Sequence, residues 1–437
     1  MVKVKTPKII IKSRQSRLRH YKAMKFPRGF LWGTATSAHQ IEGQNFHNDW
    51  WQWEKKSKAR LDSGQACNSY NLCKEDIALM KKLNQNAYRF SIEWSRLEPK
   101  PGQFDYNAVK HYRELLIELK KNDIAPVVTL HHFTNPDWLA KLGGWTQKSA
   151  IFYFCRYVSF ITEELGNLAS IWVTINEPLV YVTQSYLNGV WPPGKTNYWL
   201  AFKAYKNLAA AHRRAYKIIH HCYRRQSWHE PQVGVANNCV SLYSYKIHSL
   251  SSWFFILISD FVWNHSFFKI SGLRHHDFIG VNYYFHYRLK DFHFRTFRFF
   301  TEAYNEHRDM SQVGWEIYPQ GMFDVLIDMR KYKRPIYIIE NGVATNDEYK
   351  RSRYLVAFIK EIYHAILSGV KIKGYFYWSL LDNFEWEKGF APRFGLVKVN
   401  FKKFSRSIKS SGRLYADIAK NNCLSAKELK YLGYQKK

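Results

Sequence analysis

The chain has 437 residues, 46% hydrophobic and 17% aromatic, and its 66 Lys and Arg against 35 Asp and Glu give a formal net charge of +31. An apolar fraction this large supports a buried core and excludes a disordered or collagen-like chain. The central apolar run Trp253 to Ile258 is interrupted at Ser259 and Asp260, far short of the roughly 20 residues that cross a bilayer, so no integral membrane association is expected.

At the N-terminus, Ile9 to Ile11 form a short apolar cluster between Lys8 and Lys12. A secretory signal needs about 7 to 15 apolar residues, so a cytoplasmic protein with reduced thiols is expected. The six cysteines contain no CxxC pair, and neither a metal nor a cofactor is implied. Residues 1 to 22 carry eight Lys or Arg and no acid, as do residues 388 to 416. Such clusters attract nucleic acid, anionic lipid or acidic substrates non-specifically, or are solvated surface. Charge alone speaks to solubility more than to function. The expected organisation is a basic tail over 1 to 22, a catalytic body over 23 to 420 and a C-terminal tail over 421 to 437.

In chain order, eight short runs rich in β-branched and aromatic residues predict strands: Phe30 to Gly33, Ala87 to Ser91, Ala125 to Leu130, Ile171 to Ile175, Val233 to Ala236, Phe278 to Val281, Ile336 to Ile339 and Gly374 to Trp378. Between them, helical spacing predicts helices over Cys73 to Leu83, Asn107 to Asn122, Ala150 to Leu165, Trp199 to His220, Pro319 to Lys331 and Arg353 to Ser368. In the second of these, Val109, Tyr112, Leu115, Leu116 and Leu119 form one apolar stripe. Near-continuously apolar strands alternating with helices predict an α/β fold, a single (β/α)8 barrel. The stretch Lys246 to His276 is aromatic without a clear period and forms an excursion between strands five and six.

A parallel barrel gathers its active site at the C-terminal ends of its strands. The polar residues there are Gln40 and Glu42 after strand one, Arg89 in strand two, His131 and His132 after strand three, and Asn176 and Glu177 after strand four. Asn282 and Tyr284 follow strand six, Glu340 and Asn341 follow strand seven, and Trp378, Glu385 and Trp386 follow strand eight. Two carboxylates in a bowl of indoles, amides and imidazoles suit sugar chemistry. Indole faces stack on a pyranose, amides and carboxylates bind its hydroxyls, and paired acids cleave glycosidic bonds. His131 and His132 as a metal pair are disfavoured, because adjacent strand residues face opposite sides. Trp32, Trp94 and Trp172 read as core.

Seven segments carry a family resemblance: FPRGFLWGTATSAHQIEG at 26 to 43, YRFSIEWSRLEP at 88 to 99, TLHHFTNPDWL at 129 to 139, WVTINEP at 172 to 178, DFIGVNYY at 277 to 284, IIENG at 338 to 342 and WSLLDNFEWEKGFAPRFGL at 378 to 396. In this order they resemble glycoside hydrolase family 1, the retaining β-glucosidase-like enzymes, over about residues 26 to 416. The resemblance implies Glu177 as acid/base and Glu340 as nucleophile. It implies Gln40, His132, Asn176, Trp378, Glu385 and Trp386 as sugar-binding residues, and Arg89, Asn282 and Tyr284 as their supports. A guanidinium and a phenol beside Glu340 are expected to lower its pKa, and burial beside a second carboxylate to raise that of Glu177. Ile339 stands where the family usually has Thr, Thr134 and Asn135 depart from its strand-three loop, and the excursion after strand five is shorter than the family's.

The expected activity is hydrolysis of terminal β-linked glycosyl residues from small glycosides or oligosaccharides. A 6-phospho-β-glycosidase is the nearer alternative because of Lys388, although Glu385 favours a neutral sugar. A non-catalytic carbohydrate-binding relative is the other, and its signature would be loss of one glutamate.

Overall fold

The eight apolar runs pair side by side, in parallel and in chain order, and close on themselves. In the computed structural model, which describes residues 23–56, 62–244, 250–289 and 309–433, the strands are β1 (Leu31–Ala35), β2 (Ala87–Ser91), β3 (Ala125–Thr129), β4 (Ile171–Asn176), β5 (Gln232–Asn238), β6 (Ile279–Asn282), β7 (Ile336–Asn341) and β8 (Ile372–Trp378). Closure is made by β8, which pairs with both β7 and β1. The main helices are α1 (Ser69–Lys82), α2 (Tyr106–Lys121), α3 (Ser149–Leu165), α4 (Tyr198–Arg225), α5 (Leu250–Asp260), α6 (Pro319–Met329), α7 (Glu348–Leu367) and α8 (Ser410–Asn421). Side-chain caps set three of their starts: Asp105 for α2, Asn197 for α4 and Asp347 for α7 each accept backbone N–H groups of the first turn.

Strand alternation sorts the side chains into two cores. On β2, Tyr88 and Phe90 point outward to the helices, while Ala87 lies in the barrel interior with Val127, Val173, Ala236, Ile339 and Phe376. The interior is thus filled with apolar groups below the level at which polar side chains take over. Register shifts interrupt β4 between Val173 and Asn176 and β7 between Ile338 and Glu340. Bulges at strand ends re-aim side chains, and these two occur where the carboxylates leave their strands.

Two features revise the reading from sequence. Part of the stretch set apart as a C-terminal tail is integrated: Cys423–Leu424 pairs antiparallel with Met24–Lys25, and Leu424 and Leu429 are buried. Their apolar side chains close the bottom of the shell formed by α7 and α8. The aperiodic excursion contains α5 and a second short helix, Ser266–Ser271, joined by a π-helical turn over Phe261–His265, and the wider turn obscures the helical period. The basic stretch 1 to 22 lies outside the described residues.

The loops after β7 and β8 are tied together by one buried side chain. Arg351 of α7 donates to the carbonyls of Val343 (2.7 Å), Phe394 (2.9 Å), Arg393 (3.0 Å) and Thr345, and pairs with Glu348. Arg351→Met would strand these carbonyls and is expected to lower stability by about 3 to 5 kcal/mol, measured by chemical denaturation. An unchanged midpoint would show that water replaces the guanidinium.

Candidate active site

At the C-terminal mouth of the barrel, the inward-facing residue of β2 is a fully buried arginine. Arg89 donates to Thr129 Oγ1 on β3 (3.0 Å), to Asn176 Oδ1 on β4 (2.7 Å), and to the Ile339 carbonyl (3.2 Å) and Glu340 on β7. The other carboxylate oxygen of Glu340 accepts from Tyr284 Oη at 2.7 Å. Both oxygens of Glu340 are therefore held, one by a cation and one by a phenol.

Glu177 is held differently. It accepts from Asn282 Nδ2 at 2.7 Å and Asn238 Nδ2 at 3.2 Å, and no cation pairs with it among the described residues. It sits just past β4 with φ of 42°, before a short helix over Pro178–Val182, a left-handed conformation uncommon for a non-glycine residue. Phe133 and Trp386 also have positive φ, 72° and 52°. Such conformations gather at functional sites, where the surroundings over-determine them.

The glutamates face one cavity of about 280 Å³, whose walls include His132, Trp378, Glu385 and Trp386. The imidazole of His132 is nearly parallel to the indoles of Trp378 and Trp386, at 5.9 and 6.3 Å between centroids. Trp50 packs against Trp386 at 4.6 Å between ring centroids, and Trp191, itself in the cavity wall, at 5.8 Å. Trp378 Nε1 donates to Glu385 at 3.3 Å, and Gln40 Nε2 donates to Glu385 Oε2 at 3.4 Å and to the Phe384 carbonyl at 2.8 Å. Asn176 donates to His132 Nε2 at 3.2 Å. Gln40 and Asn176 expose no surface themselves and stand directly beside the wall residues Glu385 and His132. Buried His132 Nδ1, Asn238 Oδ1 and Asn282 Oδ1 have no partner among the described residues, which leaves hydrogen-bonding capacity for a polar ligand.

The electrostatics separate the acids. Burial, with the charge of Glu340 added, pushes Glu177 up to about 8. Glu385 also rises to about 8, chiefly through burial. Glu340 is raised as well, against the expectation from sequence, because burial outweighs the opposing guanidinium and phenol. What distinguishes the pair is the cation: with Arg89 touching Glu340 alone, a single shared negative charge resides on Glu340 and the proton on Glu177.

All eleven residues singled out in the sequence thus converge on one mouth. His131 faces away, bonded to Asn135 and packed on Trp145. Ile339 fills the barrel interior, and Arg89 takes only its carbonyl, so this departure leaves the carboxylates in place. Thr134 donates to Glu93, and Asn135 to Asp49, away from both glutamates. Asn238 was missed: it ends β5, the one strand for which no polar terminus was read, although the run VGVANN closes on two amides.

A closed (β/α)8 barrel with two carboxylates and an aromatic wall in its C-terminal mouth defines the class of barrel glycosidases. The comparisons with known proteins specify it. The model of glycosyl hydrolase family 1 matches residues 22–251 and 268–424. Beta-glucosidase A of Thermotoga maritima is 32% identical over 453 residues, covering 92% of this chain and 99% of that protein. A solved beta-glycosidase from Pyrococcus horikoshii superposes with a TM-score of 0.88 at 37% identity, covering 94% of this chain and 98% of that one. The Thermotoga maritima beta-glucosidase solved with glucoimidazole gives 0.84 at 31% identity, covering 92% and 100%. The chain belongs to glycosyl hydrolase family 1 and is a β-glycosidase acting on O-glycosyl bonds.

Gly342, two residues after Glu340, fixes the approach of β7 to β8. A Cβ there would meet the Trp378 carbonyl oxygen at 1.8 Å, closer than any packing permits. Gly342→Ala must part the two strand ends that carry Glu340 and Trp378. The expected result is a loss of kcat/KM of at least about tenfold in a protein whose far-ultraviolet circular dichroism is unchanged. Full activity would mean that the loop shifts without moving Glu340.

Proposed function

We propose that the protein is a retaining β-glycosidase that releases terminal β-linked glucose or galactose-type residues by double displacement. The observation that carries this reading is the asymmetry of the carboxylates: Glu340 is held by Arg89 and Tyr284, Glu177 by amides alone. In the first step Glu340 attacks the anomeric carbon while Glu177 gives its proton to the glycosidic oxygen, and the aglycone leaves as an alcohol. In the second, Glu177 takes a proton from water as the water oxygen attacks the same carbon and releases Glu340. His132, Glu385 and Trp386 bind the sugar hydroxyls, Gln40 and Asn176 complete those contacts, and Trp378 forms the platform. Glu385, held by Trp378 and Gln40, offers its carboxyl to the hydroxyls of a neutral sugar at a place where a 6-phosphate would need a cation.

Chromogenic β-glucosides test the roles. Glu340→Gly should abolish hydrolysis yet support synthesis from an α-glycosyl fluoride; unchanged hydrolysis would remove Glu340 as nucleophile. Glu177→Gln should cost about 10²- to 10⁴-fold with poor leaving groups and little with acidic ones, whereas an equal loss for all would refute the acid role. Proton nuclear magnetic resonance should detect the β-anomer of the product first; initial α-anomer would mean inversion.

The pH dependence follows from the raised Glu177. A group that must be protonated to act, with its pKa raised to about 8, keeps the enzyme active through neutral pH and loses activity as pH rises past that value. The alkaline limb of kcat/KM should lie near 8 and be absent in Glu177→Gln assayed with a dinitrophenyl glycoside. A limb that persists there belongs to another group, Glu385 first.

A further inference from the structure

Helix α5 reverses the usual patterning of a surface helix. Trp253, Phe254, Leu257, Ile258, Phe261 and Val262, spanning the helix and the π-turn after it, are each 43 to 61% exposed, while Ser259, Asn264 and His265 are buried. Their spacing puts the apolar side chains on one outward stripe. The start of α4 adds Tyr198, Trp199 and Phe202, 72, 62 and 47% exposed. Tyr205 Oη and Ser266 Oγ are 2.6 Å apart, which joins α4 to the short helix that follows the π-turn. Isolated exposed apolar residues are ordinary, but a contiguous patch marks a binding surface.

Cations border the patch. Lys203 lies over Trp199 and Lys206 over Phe202, at 5.4 and 5.2 Å from the ring centroids, and Phe261 shares a shallow groove with Lys269 and with Lys331, the latter paired with Asp328 at 2.9 Å. The acid of α5, Asp260, is engaged by Asn264 at 2.7 Å and His265 at 3.1 Å. The match to the family model stops at residue 251 and resumes at 268, so the stripe lies in a segment that the family model does not match. Trp263, next to Val262, lines the active-site cavity.

We propose that α5 and the first turn of α4 form a docking surface for an anionic lipid bilayer, with the cavity entrance at its edge. Aromatic and branched side chains on an outward stripe, rimmed by lysines, match the interfacial zone of a bilayer, where rings sit at headgroup level and cations meet lipid phosphates. Charge complementarity selects this occupant over a second copy, since two chains of +31 repel one another and an anionic surface attracts each.

The test is sedimentation of the full chain with vesicles of phosphatidylcholine, with and without one-third phosphatidylglycerol, in the absence of any glycoside, so that the result is independent of the catalytic reading. The wild type should partition onto the anionic vesicles, and Trp253→Ser/Phe254→Ser/Phe261→Ser should bind at least about tenfold more weakly while hydrolysing a soluble chromogenic glycoside at the wild-type rate. Brominated acyl chains should quench wild-type fluorescence more than that of Trp253→Phe. Equal binding by wild type and triple variant, fully released by salt, would assign the interaction to other basic segments and overturn the proposal. So would the absence of binding, or a wild-type dimer in analytical ultracentrifugation that the triple substitution dissociates.

Discussion

The mouth of the barrel is organised around the guanidinium of Arg89. From β2 it reaches Thr129 on β3, Asn176 on β4 and both Ile339 and Glu340 on β7, fixing strand ends on opposite sides of the barrel by one rigid, permanently charged fork. A buried cation is tolerated only where its charge is matched and its donors are used, and Glu340 supplies the match. The same pair is therefore structural and chemical: removing Arg89 would leave a buried carboxylate without its cation, and removing Glu340 would leave a buried guanidinium without its anion.

From that placement the division of labour between the glutamates follows. Burial raises both, so burial alone cannot tell acid from nucleophile. The distinction is made by which of the two touches the cation, and the Asn282 amide then lets Glu177 keep its proton because an amide donor stabilises a carboxylate less than a guanidinium does. The bulges in β4 and β7 complete the arrangement, since a regular pleat carries neighbouring side chains alternately inward and outward and both carboxylates must enter the same space.

Much of this was legible in the sequence because the barrel makes it so. A strand buried on both faces has to be apolar throughout, so the first polar residue after it marks the mouth, and Glu177 after Ile171–Asn176 and Glu340 within Ile336–Asn341 stand out by that rule. Asn238 escaped although β5 obeys the same rule, because its amides are followed by Cys239 and Val240, both buried, which blurs the end of the strand. The pKa of Glu340 was misjudged for a physical reason: the sequence names its partners but not how completely they exclude water. The C-terminal pairing of Leu424 with Met24 was hidden because it joins residues 400 apart through two-residue strands, too short to show a period.

The excursion between β5 and β6 follows other rules. Its residues do not close the barrel, and its tie to the site runs through the inward-facing Asn264, which bonds Val240 just past β5, and Trp263, which lines the cavity; neither constrains what α5 presents outward. A helix free to be polar would ordinarily bury its apolar stripe and expose charge, whereas α5 exposes Trp253 and Phe254 and buries Asn264 and His265 beyond its end. Leaving those rings in water works against solubility, and in a chain of +31 mutual repulsion offsets the cost by keeping copies apart. Charge and apolar stripe thus make sense together: the first prevents the second from being satisfied by another copy of the chain, and leaves an anionic surface as the partner that satisfies both.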